Sequence, residues 1–313
     1  MKLPRHPAVL LATALTLGCS STSSGILDPS LEAEARARDA KAAETEARLA
    51  APERLLTDLD KAMHNYTQFL RSGSSPRSET TAVKLHEYIS QQATRNFDAL
   101  LVESLRSEYP RNRAIAVAAL GFSARPEALD PIVHAAQDEN PEVVANAVFG
   151  LAMLADSRTP SGVVERVIRN EAFDETLRGG AAWTLHELQQ VVVDNGPIIR
   201  FWSDLLGGPI DGQPADVLVS AIRGIGRSRD AAHLEVVSRY VSHPVPAVRY
   251  QVAIALGRFG SDAAVPTLLT LLGPAETNEN VRLAARKGLQ ELAGGADRKY
   301  DVEEWKRVFD RGS

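Results

Sequence analysis

Seven histidines and one cysteine are the residues of this 313-residue chain best suited to acid–base, nucleophilic or metal chemistry. The histidines are His6, His64, His86, His134, His186, His233 and His243. No two stand three or four residues apart, so no helix face offers a paired ligand set, and there is neither an HExxH motif nor a cluster of cysteines. His186-Glu187 falls on a helix and reads as surface or as hydrogen-bonded core. The glycines form no GxGxxG or phosphate loop, and Gly224-Ile225-Gly226 reads as the close of a helix. No catalytic, metal or cofactor site emerges from the linear pattern. The remaining reactive group is the thiol of Cys19, which stands at the end of an apolar run.

Lys2, Arg5 and His6 precede that run, Ala8 to Leu17, and Gly18 closes it. A basic start, a short apolar core and small residues at the end read as a secretory signal, too short for a permanent span. Leu15-Thr16-Leu17-Gly18-Cys19 resembles a bacterial lipoprotein box, with Thr16 where the family usually has leucine. The resemblance implies cleavage before Cys19 and lipid attached to its sulfur, giving an anchor of several acyl chains. Ser20 after the cysteine, in place of aspartate, implies delivery to the outer membrane, facing the periplasm. The Ser- and Thr-rich stretch Ser20 to Ser24 reads as a flexible tether. The expected segments are a signal at 1–18 and a tether at 19–30.

The elements behind this leader repeat. Pro246-Ala247-Val248-Arg249 to Gly260 is the clearest copy of a phrase that returns about every 34 residues. Anchored on Leu256, its equivalents are Leu120, Leu151, Leu185, Ile222 and Leu289. Seven residues before the anchors stand Arg113, Val144, Arg178, Ala215, Arg249 and Arg282; four before them are Ala116, Ala147, Ala181, Leu218, Val252 and Ala285. The residue just before each anchor is small: Ala119, Gly150, Thr184, Ala221, Ala255 and Gly288. Positions i and i+4 share a helix face, so each repeat holds one helix with an apolar stripe and small residues for close packing. A second helix fills each gap, as in Val265-Pro266-Thr267-Leu268-Leu269, where the proline suits a first turn. A period in this range means units that cannot bury their apolar faces alone and must stack.

Pro246-Ala247-Val248-Arg249 and Asn280-Val281-Arg282 resemble the second helix of HEAT repeats. The resemblance runs from Ala99 to Gly294. It implies an all-α fold, a right-handed α-α superhelix of stacked helical hairpins of the ARM/HEAT kind, and, as the usual use of that fold, protein binding. About six repeats are expected over 99–295. Before them, 31–98 reads as a helical spacer and cap: Leu31 to Ala50 has only a weak apolar face, whereas Leu56, Leu59, Met63, Tyr66 and Leu70 follow a strict 3-4 spacing. Ser78 to Tyr109 reads as one long helix. After the repeats, 296–313 reads as a closing helix, with Asp301 as N-cap and Val302, Trp305, Val308 and Phe309 on one face.

Charge narrows the partners. The chain carries a net charge of -5, and aromatic residues make up 5% of it. A nucleic-acid binder needs a continuous basic stripe, often with stacking aromatics, so no nucleic-acid partner is expected. Arg223, Arg227 and Arg229, followed by Arg239 and Arg249, form a local basic patch that reads as solvated surface, a lipid-headgroup contact or a landing site for an acidic protein. Two residues after the anchors come Phe122, Met153, Glu187, Gly224, Arg258 and Glu291. Phe122, Met153, Glu187, Arg258, Arg223 and Arg227 are the candidate protein-binding residues, with packing between helices an equal reading of Phe122 and Met153. The long interval between Leu185 and Ile222 adds loops around a short helix holding Phe201, Trp202, Leu205 and Leu206. The expected function is a non-enzymatic scaffold or adaptor, tethered to the bacterial cell envelope through Cys19 and binding an envelope protein. The alternative is a repeat-built envelope enzyme, or an accessory subunit, whose acid–base groups converge from different repeats.

Overall fold

The computed structural model describes residues 37–38, 41, 53–69 and 76–310. The signal, Cys19, the tether and all but three residues of the Leu31 to Ala50 helix lie outside the described residues. The chain divides into two compact units, Met1–Ala51 and Pro52–Ser313, and the helical stack is the second. Its described residues contain no β-strand.

Six helical hairpins follow one another: α3 (Phe97–Arg106) with α4 (Pro110–Gly121), α5 (Leu129–Ala135) with α6 (Pro141–Leu154), α7 (Ser161–Arg169) with α8 (Glu175–Leu188), α9 (Gly196–Gly207) with α10 (Ala215–Ser228), α11 (Leu234–Ser238) with α12 (Pro246–Arg258), and α13 (Val265–Leu272) with α14 (Glu279–Leu292). Each second helix packs on the next, α4 on α6 and so on to α14, making one continuous layer. The first helices form the other layer, with α3 on α5 and α9 between α7 and α11. All six anchor residues are completely buried between the layers. Local chemistry sets the helix starts: Pro110, Pro141 and Pro246 occupy first positions, and Asn140, Asp174 and Asn278 accept backbone N–H bonds as N-caps.

The small residues beside the anchors let the second helices nearly touch. A Cβ on Gly257 would lie 2.7 Å from the Gly288 Cα, and one on Gly121 would overlap the Gly150 backbone. Thr184 fits by donating its hydroxyl to the Val148 carbonyl across the same seam. Gly224 and Gly226 lie inside α10, where the sequence suggested a helix end. Gly224 gives room to the Trp202 indole, and Gly226 to Ala255; the helix stops only at Arg229, in the left-handed conformation. Trp202 donates to Gln189, which donates to the Gly224 carbonyl. The helix that carries Trp202, α9, is the longest of the first helices at 12 residues, not a short insert.

The arginines seven residues before the anchors tie the layers together. Arg249 donates to the His243 and Pro244 carbonyls, Arg113 to Ser107, Arg178 to Ile168 and Arg282 to Leu272. Arg113, Arg178 and Arg282 thus cover carbonyls left open where the preceding first helix ends, and Arg249 covers carbonyls of the loop between α11 and α12. The same guanidinium reaches into the next repeat: Arg113 forks onto Asp138 at 3.0 and 3.1 Å, Arg249 forks onto Glu276 at 2.6 and 2.8 Å, and Arg178 binds Gln213. Asp138 and Glu276 in turn accept the N–H groups of Asn140 and Asn278. The fourth repeat has Ala215 at this position, and there Arg239 caps Leu206, Gly207 and Gly208 from the following repeat. Arg239 and Arg249 are therefore structural and do not belong to a free basic patch.

Both ends are closed. α15 (Val302–Asp310) starts with Asp301 accepting the Glu304 N–H and buries Trp305 completely, its indole donating to the Lys299 carbonyl. Arg282 and Arg286 stack on Tyr300, and Arg286 also pairs with Asp297. At the other end the expected helix from Ser78 to Tyr109 is broken at Asn96, giving α2 (Pro76–Arg95) and α3. The helix 53–69, α1, turns Leu56, Leu59 and Met63 inward.

The buried Arg249–Glu276 pair sets a pH response. The paired hydrogen bonds from Arg249 hold the Glu276 carboxyl below its ordinary value of 4.5. Its stabilisation is present above that value and is lost as pH falls through the lowered folded value. Glu276→Gln should cost about 3 kcal/mol at neutral pH, and this deficit should shrink in acid. Denaturant unfolding of both chains between pH 7 and pH 3 measures it; an equal deficit at every pH would contradict the pairing.

Candidate interaction face

The outward stripe of the second helices can be followed in anchor register. Residues six and two before the anchor stand on it, and the stripe continues two and five residues after it. In α12 these are Tyr250, Ile254 and Arg258; in α14, Leu283 and Lys287; in α10, Asp216 and Arg227, with the half-buried Arg223 beside them; in α8, Trp183. Tyr250 and Leu283 are each 37% exposed and stand side by side on neighbouring second helices. With Ile254, Lys287 and their neighbours they line an open groove of about 560 Å³ between α12 and α14.

The same face is covered at the other end. Tyr66 of α1 and His86 of α2 pack against Phe122, with Tyr66 edge-on at 5.5 Å. Phe122 next meets Phe149, which stacks on Trp183. Asp60 of α1 pairs with Arg111 at the start of α4, at 2.8 Å. Met63 reaches a groove between α1, α6 and α8. So α1 lies on the second-helix layer as an amphipathic helix held by apolar residues and one carboxylate–arginine pair.

The six candidate contact residues divide accordingly. Phe122 is buried under α1 and α2, and Met153 is half-buried against the core. Glu187 is half-buried and accepts from Gln190, which accepts from Arg227 at 3.0 Å. Arg227 and Arg258 are exposed and Arg223 is half-buried. Among the described residues none of these three arginines forms an ion pair. Tyr250, Ile254 and Leu283 escaped the sequence reading, although they are apolar residues just outside the anchor stripe. Among the described residues no group of three or more His, Cys, Asp or Glu side chains is placed to hold a metal ion. No described helix is long and apolar enough to cross a membrane.

His186 lies beneath this basic cluster. It is buried, and its Nδ1 has no hydrogen-bond partner, so the alternatives of surface or hydrogen-bonded core are both replaced. Burial, reinforced by Arg223, Arg227 and Arg258, lowers its pKa from 6.5 to about 4. The folded protein holds the ring neutral where the unfolded chain protonates it, so stability is full above pH 6.5 and declines towards pH 4. The loss between pH 7 and pH 5 should be roughly 2 kcal/mol. Denaturant unfolding of the parent and His186→Gln chains at the two pH values checks this: the variant should lose that much less, and an identical loss would contradict it.

Comparison with known proteins addresses the stack as a whole. A designed armadillo repeat protein shares 18% identity, over 61% of this chain and 98% of its own, with a TM-score of 0.45. An engineered protein shares 19% over 80% of this chain and 72% of its own, at 0.45. A second designed armadillo repeat protein, in complex with a (KR)4 peptide, shares 17% over 72% and 98%, at 0.43. No curated protein matches the chain. The family model for HEAT repeats matches residues 98–186 and 209–290, stretches of 89 and 82 residues that together exceed half of the 313. These stretches contain all six anchors and the arginine row, and the chain belongs to the HEAT-repeat family.

Proposed function

We propose that this protein is a non-enzymatic scaffold that binds another protein through its second-helix layer while a lipid on Cys19 tethers it to the bacterial cell envelope, at the outer membrane and facing the periplasm. The observation that carries the binding half is a stretch of that layer where Tyr250 and Leu283 stand exposed and three arginines on α10 and α12 form no ion pair among the described residues. A stack of HEAT repeats offers such a face as an extended platform, because each repeat contacts only its neighbours and leaves one side of every second helix free. The tether rests on the leader: a basic start, the apolar run Ala8 to Leu17, and Leu15-Thr16-Leu17-Gly18-Cys19 followed by serines. Lipid on one residue together with an extended binding face suits an adaptor that holds a partner close to a membrane.

Two measurements test the two halves. Mass spectrometry of the mature amino terminus should find acylated Cys19 as the first residue, and Cys19→Ser should move the chain out of the membrane fraction. An uncleaved leader with unchanged membrane retention would contradict the tether. Mild crosslinking of intact native cells followed by purification should return the same protein partner in repeated preparations; recovery of the chain alone would contradict the scaffold.

A further inference from the structure

The scaffold reading leaves the partner's chemistry open, and the molecule contains its own example of what its second-helix layer accepts. α1 presents Leu59 and Met63 to the stack and sets Asp60, between them, against Arg111. An apolar stripe with a carboxylate beside it thus meets apolar residues with an arginine beside them. The far end of the layer repeats the receiving half of this arrangement with nothing upon it. Tyr250, Ile254 and Leu283 supply the apolar floor, and Arg258 follows Ile254 by one helical turn. Arg223 and Arg227 stand on the adjoining α10, one residue before and three after the position that corresponds to Arg258, and Lys287 shares the row of Ile254 on α14. The exposed Asp216 and Glu291 and the half-buried Glu187 are the acidic members of these rows from α8 to α14; Asp216 stands at the start of α10, away from Arg223 and Arg227, and Glu187 already binds Gln190.

Resting on the scaffold reading, we infer that the open face from α10 to α14 docks an acidic amphipathic helix of another protein, its apolar stripe over Tyr250, Ile254 and Leu283 and its carboxylates against Arg223, Arg227 and Arg258. Neighbouring second helices pack about 10 Å apart, so crossing three of them takes about 20 Å, the length of a helix of about 14 residues. The unpaired arginines accelerate encounter and select against basic partners, while the apolar floor supplies most of the affinity. A phosphate ligand or a lipid headgroup would use the arginines but not the three apolar side chains.

The test uses the full-length chain in its native cell, with a photo-crosslinking amino acid placed at Tyr250, at Leu283 or, as a control away from the face, at Val83 on α2, which is 56% exposed. Adducts should form at positions 250 and 283. Sequencing the crosslinked segment should show apolar residues at 3-4 spacing flanked by Asp and Glu. The double substitution Arg223→Glu with Arg258→Glu should lower adduct yield roughly tenfold, and Arg223→Lys with Arg258→Lys should largely restore it. An unchanged thermal melt of each variant separates lost docking from lost folding. Adducts to lipid, to a second copy of this chain or to a basic segment would overturn the inference, as would a yield indifferent to the charge reversal. Protein adducts at position 83 alone would overturn it too while leaving the scaffold reading intact; adducts at none of the three positions would count against both.

Discussion

Close approach of successive second helices is the constraint on which the rest of this structure depends. Where Gly257 meets Gly288 and Gly121 meets Gly150, no side chain fits between the backbones. That proximity carries the six anchors completely out of water, and a hairpin alone would leave them exposed. It also aligns the outward rows of neighbouring helices into one face. The ends must then be closed, which explains the complete burial of Trp305 and the apolar stripe of α1. A stack held in this way needs no disulfide, and the chain's one cysteine, Cys19, precedes it in sequence.

The arginine row gives the stack its register. Each guanidinium binds carbonyls at the end of the first helix of its own repeat or in the loop that follows it and, in three of four cases, grips a loop of the next, so it opposes both separation within a hairpin and sliding between hairpins. Arg178 has a side-chain amide as its forward partner instead of a carboxylate, and Arg282 has the closing segment. The functional consequence is a division among the basic residues. Those whose donors are engaged by carbonyls and carboxylates belong to the scaffold, whereas Arg223, Arg227 and Arg258 lie outside any ion pair among the described residues.

The stack was legible in the sequence because burial is written in residue type. Leu, Ala and Gly at fixed offsets report directly which side of a helix faces the core, and all six anchors follow that pattern. The partners of the arginines were not legible, since Asp138 and Glu276 stand 25 and 27 residues away in loops that have no periodic signature. Nor was the cover over Phe122. The stripe Leu56, Leu59, Met63 announces that α1 packs on something, but only tertiary geometry places Tyr66 on Phe122 and leaves Tyr250 open. Phe122 and Arg258 share a register and differ in what lies above them. Gly224 shows a further limit, because its clearance serves Trp202 from another helix.

The account turns on a single face that is covered at one end and available to a partner at the other. With Cys19→Ser removing the only thiol, single cysteines at Ala118 and Lys287, which share a register two residues before their anchors, compare the two ends directly. Ala118 is 1% exposed and Lys287 is exposed. Maleimide labelling of the purified protein should be fast at position 287 and slow at 118. In chains that keep Cys19, whose thiol the proposed lipid would block, labelling in intact native cells should turn slow at position 287 as well if the proposed partner lies over it. Equal rates at both positions in the purified protein, or undiminished labelling of position 287 in the cell, would contradict the account.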